Sequence, residues 1–141
     1  MPLTFHPRPG AVLMCRYEPG FVKPEMVKRR PVIVIAPRLR HRDKLCAVVP
    51  LSGERPNHVE DYHYVLKFAP PLPPPWDAPY FWVKADMVNT VGFHRLDLIR
   101  TGRDHEGKRK YLNIRIEPQE LKAIQACVLR GLGLGRLTTH L

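Results

Sequence analysis

Six of the eleven residues from Ala69 to Pro79 are proline, and this segment excludes most ways of folding the middle of the chain. Proline lacks a backbone N–H and has a fixed φ, so the segment cannot form a helix or an interior strand. Polyproline II is its natural conformation. We expect a stiff loop between two strands, with a docking site for a proline-reading domain as the less favoured alternative. The 16 prolines in 141 residues also argue against a helical bundle.

Short apolar segments separated by turn residues predict a mainly β fold. The clearest is PVIVIA at residues 31–36, which is β-branched at nearly every position and should be buried on both faces. Further strands are expected at residues 11–17, 45–51, 62–67, 80–91 (with a bend near Asp86) and 110–116. We therefore expect five to seven short strands in a small, strongly bent sheet or partly closed barrel.

The end of the chain predicts one strong helix, because Pro118 fits the first helical turn. Apolar residues recur there at helical spacing on one face: Leu121, Ile124, Val128 and Leu132. The GLGLG sequence at 131–135 predicts a helix stop and a loose tail. The expected organisation is a single domain, with an N-terminal extension at 1–9, a barrel with its helix at 10–132, and a tail at 133–141.

Lys and Arg outnumber Asp and Glu by 23 to 13, which gives a formal charge of +10. This excess favours an anionic partner such as nucleic acid, an acidic protein or an anionic membrane surface. No apolar run approaches the roughly 20 residues of a membrane span, and residues 1–10 lack a signal-peptide stretch, so we expect a cytoplasmic protein. The three cysteines form no CxxC pair, and we expect them to be reduced and buried.

Basic residues flank the PVIVIA strand on both sides, and a second basic group, in the expected last loop, follows near residue 100. The two groups are Lys23, Lys28, Arg29, Arg30, Arg38, Arg40, Arg42 and Lys44, then Arg95, Arg100, Arg103, Lys108, Arg109 and Lys110. Arg30 stands apart because Pro31 holds it extended, so its guanidinium could meet a phosphate bidentately. A structural ion pair with Glu25 is the alternative. Arg29, on the loop side, is expected to be a steering charge.

Three more side chains are candidates for chemistry. Ser52 ends an apolar strand before a glycine, where its hydroxyl could donate to a phosphate oxygen or simply cap a turn. Asp86 lies among apolar neighbours and needs a partner, either Lys84 or a backbone N–H. His63 could reach a substrate as a proton donor. The HVEDYH sequence at 58–63 has a spacing that suits metal binding poorly, and we expect no metal site.

The order of these segments resembles the MazF/PemK toxins of type II toxin–antitoxin systems over residues 10–130. PEMVKRRPVIVIAP, CAVVPLS and WVKADMV resemble the PemK-like branch in particular. The resemblance implies an SH3-like small barrel of the MazF/CcdB type with a C-terminal helix, a homodimer, and a cognate acidic antitoxin. The implied activity is that of an mRNA interferase without metal or cofactor. It cleaves single-stranded RNA at specific sequences by 2′-OH attack, leaving a 2′,3′-cyclic phosphate and a 5′-OH.

The same resemblance places catalytic roles on Arg30, Ser52, Lys84 and Asp86, with Lys84 standing where the branch has an arginine. The residues expected to contact the substrate are Glu25, Lys28, Arg29 and His63. The candidate stacking platforms for bases are Phe21, Tyr62, Tyr64, Trp76 and Phe93, although most aromatics in so small a domain should be core. The general base is left open among Asp86, Glu25 and His63. The alternative function is a non-catalytic module of the same fold, either gyrase-poison-like or nucleic-acid-binding.

Overall fold

The computed structural model describes residues 3–141 as nine β-strands followed by one α-helix. The strands are β1 (Val12–Cys15), β2 (Arg30–Val34), β3 (Leu45–Ser52), β4 (His63–Lys67), β5 (Tyr80–Lys84), β6 (Asn89–Gly92), β7 (Leu96–Asp97), β8 (Ile99–Arg103) and β9 (Arg109–Leu112). The helix α1 spans Pro118–Gly131, and short 3₁₀ turns cover Ala85–Met87, Phe93–Arg95 and Gly135–His140. The mainly β fold with a C-terminal helix is confirmed, with more strands than the five to seven expected. Within the described residues, no helix is long and apolar enough to cross a membrane.

Seven strands form one antiparallel sheet in the order β4-β5-β3-β2-β1-β7, with β6 paired to β3 outside this path. A short 3₁₀ turn joins β6 to β7, so one segment of chain pairs with β3 at one end and with β1 at the other. This segment bends the sheet toward the partly closed barrel that the strand pattern predicts. β8 and β9 form a separate two-stranded ribbon.

The central strand β2 buries side chains on both of its faces, as its β-branched composition predicts. Ile33 belongs to a core that includes Ile124 of α1, and we call this side of the sheet the helix face. Val32 and Val34 belong to a second core on the opposite side, which we call the far face. All four side chains are 0% exposed. Successive residues of a strand therefore alternate between the helix face and the far face.

The proline-rich segment is a loop between β4 and β5, as its composition predicts. Leu72 within it is 2% exposed and belongs to the core on the helix face. Trp76 packs against the same core. The loop is thus attached to the domain by apolar side chains, and Trp76 is a packing residue rather than a free stacking platform.

The basic segment around residue 100 is not the loop that the sequence predicts. It contains β7 and β8, and β8 pairs with β9 so that Arg100 lies opposite Tyr111 and Arg103 opposite Arg109. Charged residues and Gly102 interrupt the apolar alternation here, which is why the sequence pattern does not indicate strands. We call residues 99–112 the basic ribbon.

The C-terminal helix packs its expected face against the sheet only in part. Ile124 is 0% and Val128 8% exposed, whereas Leu132 lies beyond the last helical residue and is 55% exposed, contrary to prediction. The expected loose tail instead contains a 3₁₀ turn. At the helix end, a Cβ on Gly131 would lie 2.8 Å from the Cα of Asp86, so these two backbones are in direct contact.

Candidate active site

The strand register brings Arg30 and Ser52 together. β2 and β3 are antiparallel, with Val32 opposite Pro50. Continuing this register by two residues places Ser52 opposite Arg30. Side chains directly opposite each other on antiparallel strands share one face, with Cβ atoms about 4.5–5.5 Å apart. The paired residues end at Val32 and Pro50, so Arg30 and Ser52 lie two residues beyond them and by alternation face the far side of the sheet.

The same alignment extends across the sheet in both directions. Arg30 pairs with Cys15 of β1, Ser52 pairs with Trp82 of β5, and Trp82 pairs with Val65 of β4. Neighbouring strands are about 4.8 Å apart, so these five residues form a line across the far face. We call this line the cross-sheet row. It begins in the apolar core at Cys15 and ends at Val65, which is 39% exposed.

Arg30 is half-buried at the start of β2, and its Nε is buried without a hydrogen-bond partner among the described residues. Tyr17, which is 0% exposed, lies close by. Burial raises the pKa of the Tyr17 hydroxyl, and the positive charge of Arg30 opposes that effect. The expected alternative, an ion pair with Glu25, does not form; the Glu25 carboxylate accepts the Val22 N–H at 3.0 Å. The Arg30 guanidinium is therefore held beside a neutral phenol.

Ser52 is 1% exposed and ends β3. Its Oγ accepts the backbone N–H of Glu54 at 3.2 Å, so the turn-capping role considered from the sequence is present. This bond uses a lone pair of the hydroxyl and leaves its proton free to donate. The side chain can therefore cap the turn and donate to a phosphate oxygen at the same time.

Lys84 and His63 pair across β5 and β4, two residues from Trp82 and Val65, on the same face as the row. They therefore lie about 7 Å from the row along the strands. The Nδ1 of His63 accepts the Glu60 N–H at 3.0 Å, which assigns the proton of a neutral ring to Nε2. Lys84 has no ion-pair partner within the described residues, so the expected pairing with Asp86 is absent.

Asp86 departs from the expected arrangement. It is exposed and lies in the 3₁₀ turn that follows β5, against Gly131 at the end of α1. Its negative charge contributes, after desolvation, to a raised pKa of the Tyr62 hydroxyl. Asp86 thus lies near Tyr62 at the edge of the sheet, beyond Lys84 and outside the cross-sheet row.

The residues expected to bind substrate are spread over two surfaces. Glu25 and Lys28 are exposed on the loop between β1 and β2. Arg29 precedes the first residue of β2 and is exposed. It lines a pocket of about 280 Å³ together with Arg16 and Arg95. His63, Arg30 and Lys84 face the far side of the sheet, whereas Arg29 lies at this pocket.

Most of the expected stacking platforms are packing residues. Phe93 is 8% exposed, and Tyr64 packs against the core on the helix face. Phe21 meets Tyr17 edge-on at 5.2 Å and lies under the guanidinium of Arg95 at 4.8 Å. The sequence interpretation omitted Trp82. The alternation in YFWVK could have found it, because Trp82 must share a face with Lys84 when Phe81 and Val83 are core.

Unsatisfied polar atoms concentrate at the row. Among the buried side-chain polar atoms of the described residues that lack a partner, two belong to the row: Arg30 Nε and Trp82 Nε1. An unpaired buried donor costs about 1–3 kcal/mol, so native proteins rarely keep several in one region. Donors left open around a buried hydroxyl are suited to a ligand that brings several acceptor oxygens, such as a phosphodiester.

Comparison with known proteins assigns the chain. The model of a family described as "PemK-like, MazF-like toxin of type II toxin-antitoxin system" matches residues 8–130. The chain belongs to this family. The resemblance noted in the sequence is thus confirmed, and the PemK-like chain has the fold expected of it.

Relatives and solved structures agree with this assignment. The PemK-like chain is 32% identical to protein YifN of Escherichia coli (strain K12), with 94% of this chain and 95% of YifN covered. A MazF from Deinococcus radiodurans superposes with a TM-score of 0.61 at 15% identity, covering 92% of this chain and 98% of that one. An endoribonuclease from Mycobacterial species in complex with its cognate antitoxin gives 0.58 at 20% identity, covering 91% and 96%. These structures share the fold of this chain.

Proposed function

We propose that this chain is the toxin of a type II toxin–antitoxin system and acts as a metal-independent, sequence-specific endoribonuclease on single-stranded RNA. The proposal is carried by the register of β2 and β3, which, continued by two residues, places Arg30 opposite Ser52, and by the buried donors of Arg30 and Trp82 that lack partners. The PemK-like family supplies the biological setting. Two MazF-fold structures are described as endoribonucleases, which supports the same reaction for this fold.

The reaction is a transesterification within the RNA strand. The 2′-oxygen attacks the adjacent phosphorus, and the bond from phosphorus to the 5′-oxygen breaks, which leaves a 2′,3′-cyclic phosphate and a 5′-OH. One proton leaves the 2′-OH and one reaches the departing oxygen. Because an arginine keeps its proton, Arg30 is suited to stabilising the negative charge of the phosphorane rather than to acting as base. The Ser52 hydroxyl donates to a phosphate oxygen.

Proton transfer falls to the side chains around the row. Lys84 adds a positive charge about 7 Å along the sheet, although it lacks the bidentate geometry of an arginine. His63 presents its Nε2 from the same face. Asp86 lies two residues beyond Lys84, at the edge of the sheet. It can therefore contact the scissile bond only if the RNA is bound at that edge. We therefore assign the role of general base to His63 or Asp86. Glu25 and Lys28 are assigned to contacts with the single-stranded RNA.

The partners follow from the charge of the chain and from its family. Its +10 charge favours RNA and an acidic, cognate antitoxin that covers the same basic face. We propose that the active form is a homodimer and that it acts in the cytoplasm, where mRNA is accessible.

The test uses one RNA with and without the attacking group. Purified protein is incubated in EDTA with a single-stranded RNA, and the cut site is mapped together with the chemistry of its ends. The same RNA is then made with a single 2′-deoxy residue at the cut site. We expect a cyclic phosphate on the first substrate and no cleavage of the second.

A control RNA carries the 2′-deoxy residue three positions away and should be cut normally. Cleavage of the substituted site, or cleavage that EDTA abolishes, would contradict the mechanism. Uncut RNA with inhibition of DNA gyrase would instead support the non-catalytic alternative of the same fold.

A further inference from the structure

The outer half of the cross-sheet row carries an aromatic side chain that neither the fold nor the proposed chemistry requires. Trp82 lies opposite Ser52, on the face away from the core that holds Phe81 and Val83. The side chains around it are open: Val65 is 39% and Tyr80 44% exposed. Trp82 therefore lies in an exposed apolar patch directly beside the candidate catalytic hydroxyl.

Two features of Trp82 indicate that a ligand is missing. Its Nε1 is buried and has no hydrogen-bond partner among the described residues. The guanidinium carbon of Arg55 lies over the indole ring, but at 6.0 Å from the ring centroid. This is the outer limit of a cation–π contact, so Arg55 is poorly engaged with the ring.

The spacing between Arg55 and the ring nearly admits a planar group. Two stacking layers of about 3.5 Å each require about 7 Å, so Arg55 needs to withdraw by only about 1 Å. Arg55 is exposed and lies in the loop after β3, two residues after Gly53, so its movement disturbs no packed side chain. A nucleobase between indole and guanidinium would be held on both faces by groups known to stack on bases.

We propose that Trp82 and Arg55 form a nucleobase subsite that fixes one base next to the scissile phosphate. The base stacks on the face of the indole. The Trp82 N–H lies in the plane of the ring, so it donates past the stacked base to an oxygen of the adjoining nucleotide. Because Trp82 and Arg30 are two strands apart, the base and the phosphate would be held about 10 Å from each other across Ser52. This inference rests on the proposed function, since the base belongs to the RNA being cut.

The chain offers a direct reporter, because its only two tryptophans are Trp76 and Trp82. In the Trp76→Phe variant, all tryptophan emission comes from Trp82. The RNA with the 2′-deoxy residue at its cut site is titrated into this variant, with fluorescence anisotropy of a labelled copy recorded in parallel. We expect the Trp82 emission to be quenched with the same midpoint as the anisotropy change.

A saturable anisotropy change with unchanged Trp82 emission would overturn the subsite while leaving the proposed function intact. If this RNA does not bind and the unsubstituted RNA is not cut, the proposed function is refuted instead. The titration and the cleavage assay together distinguish the two failures.

Kinetics separate stacking from hydrogen bonding at Trp82. We expect Trp82→Ala to lower kcat/KM for the best RNA by on the order of 10- to 100-fold, mainly through KM, since stacking on an aromatic contributes on this scale. Trp82→Phe keeps a ring but removes the N–H, so it should retain most of the affinity and lose only the contribution of one hydrogen bond. Trp76→Phe is the matched control, and a Trp82→Ala enzyme within twofold of it would overturn the proposal.

Discussion

The chain has two basic regions, and they differ in how their charges are held. Across the far face, the guanidinium of Arg30 is half-buried beside Tyr17, and its Nε lacks a partner. On the basic ribbon, all of the basic side chains are exposed: Arg100, Arg103, Lys108, Arg109 and Lys110. Of these, Arg103 donates to the carbonyl of Gly107 at 2.8 Å, a contact within the ribbon itself.

This difference in burial suits the far face to binding a reacting group and the basic ribbon to attracting a polyanion. A charge held in a partly dry site, already oriented, acts strongly on the charge that develops during reaction. An exposed charge is screened by salt and hydrated in both states, so it adds affinity and speed of encounter but little chemistry. A count of basic residues would select the ribbon as the active site. Burial and unpartnered donors select the cross-sheet row instead.

The largest test of this comparison is Arg30→Ala against Arg100→Ala. Removing a positioned donor to a developing oxyanion costs about 10²- to 10³-fold in kcat, and we expect that loss at Arg30. Arg100→Ala should change kcat by less than about twofold, because its charge is exposed. Initial cleavage rates at saturating RNA measure both, with circular dichroism as the check on folding. Equal losses at the two positions would show that the regions do not differ.

The next effect concerns the hydroxyl at the centre of the row. Ser52→Ala removes the donor to phosphate and also the acceptor of the Glu54 N–H. We expect cleavage to fall by roughly 10- to 100-fold, consistent with one lost hydrogen bond to a charged group. Ser52→Thr keeps the hydroxyl and should retain most activity if the buried position accepts one more methyl group. An alanine variant as fast as the parent would remove Ser52 from the site.

A smaller effect tests the support of the site rather than its chemistry. Gly131→Ala places a methyl group 2.8 Å from the Cα of Asp86 and 3.1 Å from its N, so backbone must shift. Overpacking of this kind costs about 1–3 kcal/mol, which outweighs the higher helix propensity of alanine. We expect a lower urea midpoint together with slower cleavage, since the 3₁₀ turn at 85–87 moves.

Gly135→Ala is the control for that substitution, because its Cβ would meet only Arg130 Cγ at 3.5 Å, an ordinary contact. Its urea midpoint should stay near that of the parent. If both variants unfold at the parental urea midpoint, the contact between the end of α1 and the 3₁₀ turn does not contribute to the free energy of unfolding.

The smallest effect is expected at the basic ribbon. The triple variant Arg103→Gln, Lys108→Gln, Arg109→Gln should weaken RNA binding only a few-fold at physiological salt and leave the cut sites unchanged. A few-fold loss corresponds to about one phosphate contact, for which the slope of log K against log salt falls by about 0.7 for single-stranded RNA. Binding isotherms at several salt concentrations measure this slope. A changed cleavage pattern would place the ribbon in recognition rather than in attraction.

The sequence was sufficient for the core of the fold. The β-branched run at β2, the proline-rich loop and the helix opened by Pro118 all have patterns that depend on local chemistry alone. β9 overlaps the strand expected at 110–116, whereas β8 was missed because its exposed residues after Ile99 are polar and include Gly102, so no alternation marks it. Local pattern cannot distinguish an exposed ribbon from a loop.

The site divides in the same way. Pro31 marks Arg30 in the sequence, and the glycine turn marks Ser52, but their adjacency depends on a register between strands separated by a ten-residue loop. Tyr17 and Trp82 carry no motif, and only the three-dimensional structure shows that Tyr17 lies near Arg30 and that the indole N–H of Trp82 lacks a partner. Asp86 was expected beside Lys84, yet the 3₁₀ turn directs the chain toward α1 instead.

The cross-sheet row takes each of its members from a different strand, and this has an evolutionary consequence. Substitutions at Trp82 or in the loop that carries Arg55 would retune which target is accepted, while the inner strands that hold Arg30 and Ser52 stay untouched. Homologous toxins would then differ in the RNA sequence they cleave after only a few mutations. An inhibitor that binds only the inner strands would still inhibit all of them.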